Sequence, residues 1–235
     1  MISTSLQSLS LKYLLAGLVA LLSFTSVVAL PTAKPSEDLG DYEQLFKRAL
    51  VHPAGNQKFS LFHGTIPANE AALKVPDLSK SHTEAINNVV HNLEGGGLYL
   101  TDSLIAAAQF VCHQIGKAPT DKVHVLMYDW TPPASIKIHE TKTVAEQNAA
   151  AQTCKAYDML TGPMYNEITD KHLTKDFWQY ALINQKIAND NLKYKQTFVI
   201  PCSKVHKGRD LPSTDYEKGQ GSNPGFSAYA KTLTG

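Results

Sequence analysis

His63 closes a short apolar run, "KFSLFHGT" at 58–65, and a glycine follows it at once. Further along, "GGGLYLTDS" at 95–103 sets Tyr99 in a second short apolar run led by glycines. An imidazole can donate, accept or exchange a proton near neutral pH, and a tyrosine presents a flat ring with a polar tip. By residue type alone both have ordinary explanations. A strand-end histidine is usually half-buried and hydrogen-bonded, and a tyrosine in an apolar strand is usually core. Their interest lies in the similar setting of the two runs, which raises the question of one shared site.

Most other reactive patterns are excluded. The chain has no G-x-S-x-G, no H-E-x-x-H, no Walker loop and no G-x-G-x-x-G followed by an acid. Its nine histidines are scattered, and none pair at a helical metal spacing. "EGGG" at 94–97 precedes a strand pattern rather than a helix, so the helix-terminus argument for phosphate binding fails there.

The elements that must position these residues alternate between strand and helix. "KFSLFHG", "GLYLT", "KVHVLMYDW", "SIKIHET", "YDMLTGP", "FWQYALIN" and "KQTFVIPC" read as strands. "SLIAAAQFVCHQIG" reads as a helix capped by Asp102 or Ser103 and stopped at Gly116. "DYEQLFKRAL", "VAEQNAAAQTCKAY", "QKIANDNL" and part of 79–96 read as further helices. Regular βαβ units are too few for a doubly wound sheet, so the fold class is α+β.

The 235-residue chain divides as follows. Residues 1–29 read as a secretory signal peptide: Lys12, an apolar core from Tyr13 to Leu22, and a small-residue site at Val27-Val28-Ala29. The interruption at "SFTS" argues against a membrane anchor, so the expectation is a secreted, extracellular protein without a stable one. Residues 30–40 are a linker, 41–203 the folded domain, and 204–235 a flexible tail rich in polar residues, Gly and Pro. Without Lys12, 21 Lys and Arg balance 21 Asp and Glu, with no basic cluster, which argues against a nucleic-acid partner. Of the three cysteines, Cys112 lies in an apolar helical pattern and is expected to be simply buried, which leaves Cys154–Cys202 as the expected pair.

The order of these motifs resembles the ADP-ribosyltransferases of the diphtheria-toxin and poly(ADP-ribose)-polymerase type. That family carries a histidine on one strand, a tyrosine on a second, and Glu or a substitute on a third. "LFHGT" resembles the histidine motif, and "GGGLYLTDSLIAAAQF" the tyrosine strand with its small-residue helix. "YDMLTGPM" followed by "QYALINQKIANDNLKY" is similar to a microbial branch of the superfamily. The resemblance spans roughly 57–200.

The resemblance implies two small mixed or antiparallel sheets around a cleft for NAD, which serves as substrate, with no metal. His63, Gly64, Thr65, Gly97 and Tyr99 are the implied NAD-binding residues. His63 would bond a ribose hydroxyl, Gly64 would let the nicotinamide carboxamide reach backbone groups, and the Tyr99 ring would stack on the pyridinium. The implied reaction is transfer of ADP-ribose to an unknown protein acceptor, or hydrolysis of NAD. The implied catalytic set is His63, Tyr99 and a third position, which alignment on Tyr180 assigns to Gln179. A glutamine brings no charge, which keeps open a second reading, a catalytically silent binding module of the same fold. Glu167 in "MYNEIT" is the rival carboxylate.

Overall fold

Seven strands among the described residues form two small open sheets. The computed structural model describes residues 50–76, 78, 97–114, 121–151, 153–164, 173–208 and 211–235. The expected signal peptide and linker, nearly all of the expected helix at 41–50, the expected helix within 79–96, and Glu167 lie outside them.

The first sheet has the order β1-β3-β7, built from β1 (Phe59–Thr65), β3 (Lys122–Trp130) and β7 (Leu192–Pro201), all antiparallel. The second has the order β2-β6-β5-β4, from β2 (Leu98–Leu100), β6 (Trp178–Leu182), β5 (Met159–Pro163) and β4 (Ile138–Glu140). Its β4–β5 pair is parallel and the other pairs antiparallel. Side-chain alternation sends Leu61, Leu126, Tyr128 and Trp130 of the first sheet, with Leu98, Leu100, Met159, Tyr180 and Leu182 of the second, into one shared apolar core. The opposite face of the first sheet packs on helices in a second core, which includes Phe62, Val125, Met127 and Ile200.

Six short α-helices complete the described residues: α1 (Glu70–Leu73), α2 (Leu104–Gln109), α3 (Val144–Ala151), α4 (Gln185–Asn191), α5 (Ser213–Lys218) and α6 (Phe226–Thr234). All six residues of α2 are buried, and its alanines bring its backbone close to β1. α2 passes directly into a π turn, Phe110–Gln114. Ser103 is the N-cap of α2 by backbone conformation, but its hydroxyl donates to the Tyr216 carbonyl instead of capping. In α4 the Asn184 side chain does cap, accepting from the amides of Lys186 and Ile187.

Two expectations are corrected. The segment read as a flexible tail is largely helical and packed. Tyr216, Phe226, Ala230 and Leu233 are all buried in the helical core. Phe226, Ala230 and Leu233 form an i, i+4, i+7 stripe that the surrounding Gly and Pro residues obscure. The disulfide joins Cys112 to Cys202, with 5.5 Å between their Cα atoms. Cys112 is buried as expected, but the π turn sets it against the residue that follows β7. Cys154 is the free buried thiol, in a small cluster behind the second sheet.

Candidate functional site

The two sheets meet at one backbone contact and then part. Phe62 of β1 and Thr101, just past β2, exchange both amide hydrogen bonds, 2.8 and 3.0 Å long. The next link is a side chain: the His63 ring donates from Nδ1 to the Tyr99 carbonyl at 2.7 Å. That acceptor requires the proton on Nδ1, which leaves Nε2 as a lone pair. Burial pushes the His63 pKa below the ordinary imidazole value, against a smaller opposite effect of the bond to Tyr99. The ring is therefore neutral at pH 7 and is an acceptor at Nε2.

Strand alternation determines what else faces this split. Because the Phe62 amide and carbonyl are both spent on Thr101, Phe62 occupies a non-hydrogen-bonded position relative to β3. Gly64, two residues on, repeats that orientation, so its N–H and C=O point into the gap between β1 and β2. Thr65 is buried opposite His124. Gly97, also buried, leads into β2.

The reason for glycine at 64 differs from the expectation. A Cβ there would lie 2.2 Å from the Ala107 carbonyl oxygen and 2.8 Å from a Val111 methyl carbon. The missing side chain makes room for α2 rather than for a ligand. The backbone groups that aim into the gap are a separate feature of the same residue.

Tyr99 pairs with Ala181 of β6, and Gly162 of β5 pairs with Gln179. Tyr99 and Gln179 therefore share one face of the second sheet, on neighbouring strands. The Tyr99 ring packs among Ala150, Cys154, Leu160 and Ala181. Gln179 is 7 % exposed, and no hydrogen bond to a described residue engages its amide. The structure thus brings His63 directly to Tyr99 and places Gln179 on the Tyr99 face. The His63 ring projects to the other face, with Leu61 and Leu126, and reaches Tyr99 through its backbone.

Two polar clusters escaped sequence reasoning. At the closed end of the split, the buried Asp102 carboxylate accepts from the Tyr216 hydroxyl at 2.6 Å and from Gln220 at 2.7 Å. It also accepts from His52 at 3.0 Å, whose ring stacks on Trp178 with centroids 4.7 Å apart. The Tyr216 hydroxyl also accepts from the Trp178 amide. This knot ties α5 to the strands that carry Tyr99 and Gln179, and helix-capping logic had claimed Asp102 for another purpose. At the open end, Glu70 of α1 accepts from His124 at 2.7 Å and from Thr197 at 2.8 Å, and pairs with Lys74 at 3.0 Å. The Lys74 bond first, then that to Thr197, hold its carboxyl at about 2, well below the usual carboxylate range. Apart from the local Glu70–Lys74 pair, the partners in both clusters lie far apart in sequence, His124 and Thr197 being 54 and 127 positions from Glu70, so no local signal marked the clusters as such.

Among the described residues, no group of three or more His, Cys, Asp or Glu side chains is disposed to hold a metal, and no helix is long and apolar enough to cross a membrane. No protein-family model and no curated protein matches the chain.

Proposed function

We propose that the split between β1 and β2 is an NAD site of the ADP-ribosyltransferase kind, and that the protein transfers ADP-ribose from NAD to a protein acceptor or hydrolyses NAD. The observation that carries this reading is the open edge at Gly64, with the His63–Tyr99 bond beside it. An N–H and a C=O on the same residue, aimed at the same gap, match the acceptor and donors of a carboxamide. His63 Nε2, neutral and unprotonated, suits a ribose hydroxyl donor. The Tyr99 ring supplies a stacking face, worth about 1–2 kcal/mol against a cationic ring once desolvated. In this reading the amide of Gln179, which is buried, accepts from the hydroxyl of the nicotinamide ribose.

Positive charge develops on that ribose as the glycosidic bond breaks. Fixed dipoles and charges near it stabilise the transition state. Gln179 contributes a carbonyl dipole where a carboxylate would contribute a full charge, which predicts slow turnover. The same observation favours the second reading, a binding module that keeps the fold without the chemistry. A secreted location and an absent membrane anchor belong to this proposal, on the strength of residues 1–29.

The test is to incubate the chain with NAD and follow nicotinamide release, with and without candidate acceptor proteins, alongside calorimetric titration of NAD. Binding with release supports the transferase or hydrolase. Binding without release supports the silent module, and absence of binding rejects both.

A further inference from the structure

We infer that Lys47–Arg48 is a maturation site, at which a dibasic-specific serine endoprotease of the secretory route hydrolyses the peptide bond to Ala49. The inference is independent of the NAD reading and rests on the secreted location that residues 1–29 support.

The motif comes from the sequence. An enzyme of this class holds two adjacent cations in acidic pockets, and a guanidinium directly before the scissile bond can pair with a carboxylate through two parallel hydrogen bonds. The chain has 22 Lys and Arg, and only Lys47 and Arg48 are neighbours, so the folded domain offers no competing pair. In the reaction water adds its hydroxyl to the Arg48 carbonyl carbon and its proton to the Ala49 nitrogen as the C–N bond breaks. The products are a carboxylate on Arg48 and an α-amino group on Ala49.

A two-residue motif alone is weak, and its position carries the argument. Both residues lie just before Leu50, the first described residue. Leu50 packs against the helical core, and Val51 is 63 % exposed, so the chain is at the surface where the fold begins. Residues 51–58 belong to no helix or strand, yet four distant side chains fix them. Gln220 donates to the Val51 carbonyl at 3.0 Å, the Tyr180 hydroxyl to that of Pro53 at 2.6 Å, and the Trp130 indole to that of Gly55 at 2.8 Å. His52 donates to the buried Asp102 at 3.0 Å and stacks on Trp178. Gln220, Tyr180, Trp130 and Asp102 are all buried. The segment is therefore docked from Val51 onward by described residues alone, and alternate carbonyls along it are occupied. A protease needs backbone it can draw out extended, and a docked segment refuses it. The next cation after Arg48 is Lys58, at the far end of that segment. The helix expected over 41–50 does not oppose a cut at 48, since helix ends fray. Cleavage there leaves Ala49 as a short free end on a fold whose described anchors all follow it.

The experiment expresses the full chain in a secreting eukaryotic host that carries such a protease and in a strain that lacks it, for the wild type, Lys47→Gln and Arg48→Gln. The secreted proteins are read by N-terminal sequencing, intact mass and thermal unfolding. The wild type is expected to begin at Ala49 in the first host and near Leu30 in the second, and both variants near Leu30 in either. The Ala49 product and the uncut Arg48→Gln protein are expected to agree in Tm within about 2 °C. A secreted wild type that begins near Leu30 in the protease-bearing host overturns the inference and leaves the secreted location intact. An Ala49 terminus that persists in Arg48→Gln or in the protease-free strain also overturns it, by showing that another enzyme made the cut. An Ala49 product that melts many degrees below the uncut protein overturns the claim that the fold is anchored from Leu50 onward. A wild type that keeps Met1 and stays in the cell overturns the secreted location and this inference with it.

Discussion

Gly64→Ala puts the packing of the split to a quantitative test. The added Cβ would sit 2.2 Å from the Ala107 carbonyl oxygen, 2.8 Å from a Val111 methyl carbon and 3.0 Å from the Ala107 carbonyl carbon. Two of these three atoms are backbone of a fully buried helix, which no rotamer change can move. Either α2 shifts by about an ångström or β1 bows, and both choices disturb a core that includes Phe62, Ala106, Val111 and Val125. Overpacking of this kind costs about 1–3 kcal/mol. For a folded unit of this size each kcal/mol lowers Tm by about 2–4 °C, so a drop of roughly 2–12 °C is expected in thermal unfolding followed by circular dichroism. Gly225→Ala is the matched control, because its Cβ would meet only the Asn223 side-chain oxygen, at 3.2 Å; its Tm should stay within about 2 °C of wild type. The loss should be present without any ligand. A Gly64→Ala protein as stable as Gly225→Ala would refute the claim that α2 is the reason for this glycine.

Gln179→Glu should cleave NAD faster than wild type and Gln179→Ala more slowly, measured as nicotinamide release; each factor of ten corresponds to about 1.4 kcal/mol of barrier. The Glu variant should also be less stable, since position 179 is 7 % exposed and a buried charge is costly. Tyr99→Ala should weaken NAD binding while Tyr99→Phe stays close to wild type in the same titration. Deleting 205–235 removes the buried side chains of Tyr216, Phe226 and Leu233, each worth about 1.5–3 kcal/mol, so loss of cooperative unfolding is expected, and an unchanged Tm would show that α5 and α6 are dispensable. His63 has a folded pKa below its unfolded value near 6.5. Its unfolded form therefore binds more protons in that window, and stability falls as pH drops below about 6.5 until the folded value is passed. His63→Gln should flatten that part of the Tm-against-pH curve.

The strands and their order were legible in the sequence because each is a short apolar or alternating run bounded by Gly, Pro or polar residues. β2 to β6 lie within their predicted runs and β1 extends one residue past its own, to Thr65, and the His63-Gly64 and Tyr99 positions follow from them. Local pattern also marked α2, whose run of alanines has no other ready explanation. What pattern misjudged was burial that depends on distant partners. The C-terminal segment looked too polar to pack, yet one tyrosine and a three-residue stripe sufficed, because Phe226 meets the rings of Phe62 on β1 and Phe198 on β7. The disulfide was misassigned because pairing depends on which Cβ atoms come within reach, and only the π turn after α2 brings Cys112 to Cys202.

The sequence by itself determined the α+β class, the positions of most strands, and the residue types at the split, since these rest on local periodicity and on chain breakers. Only the tertiary structure decided why Gly64 is a glycine, which tautomer His63 adopts, and where Asp102 and Glu70 spend their charge. Apart from the Glu70–Lys74 pair, those outcomes depend on contacts between residues 36 to 127 positions apart, and nothing in a local stretch of chain encodes which distant carbonyl, hydroxyl or helix will arrive to make them.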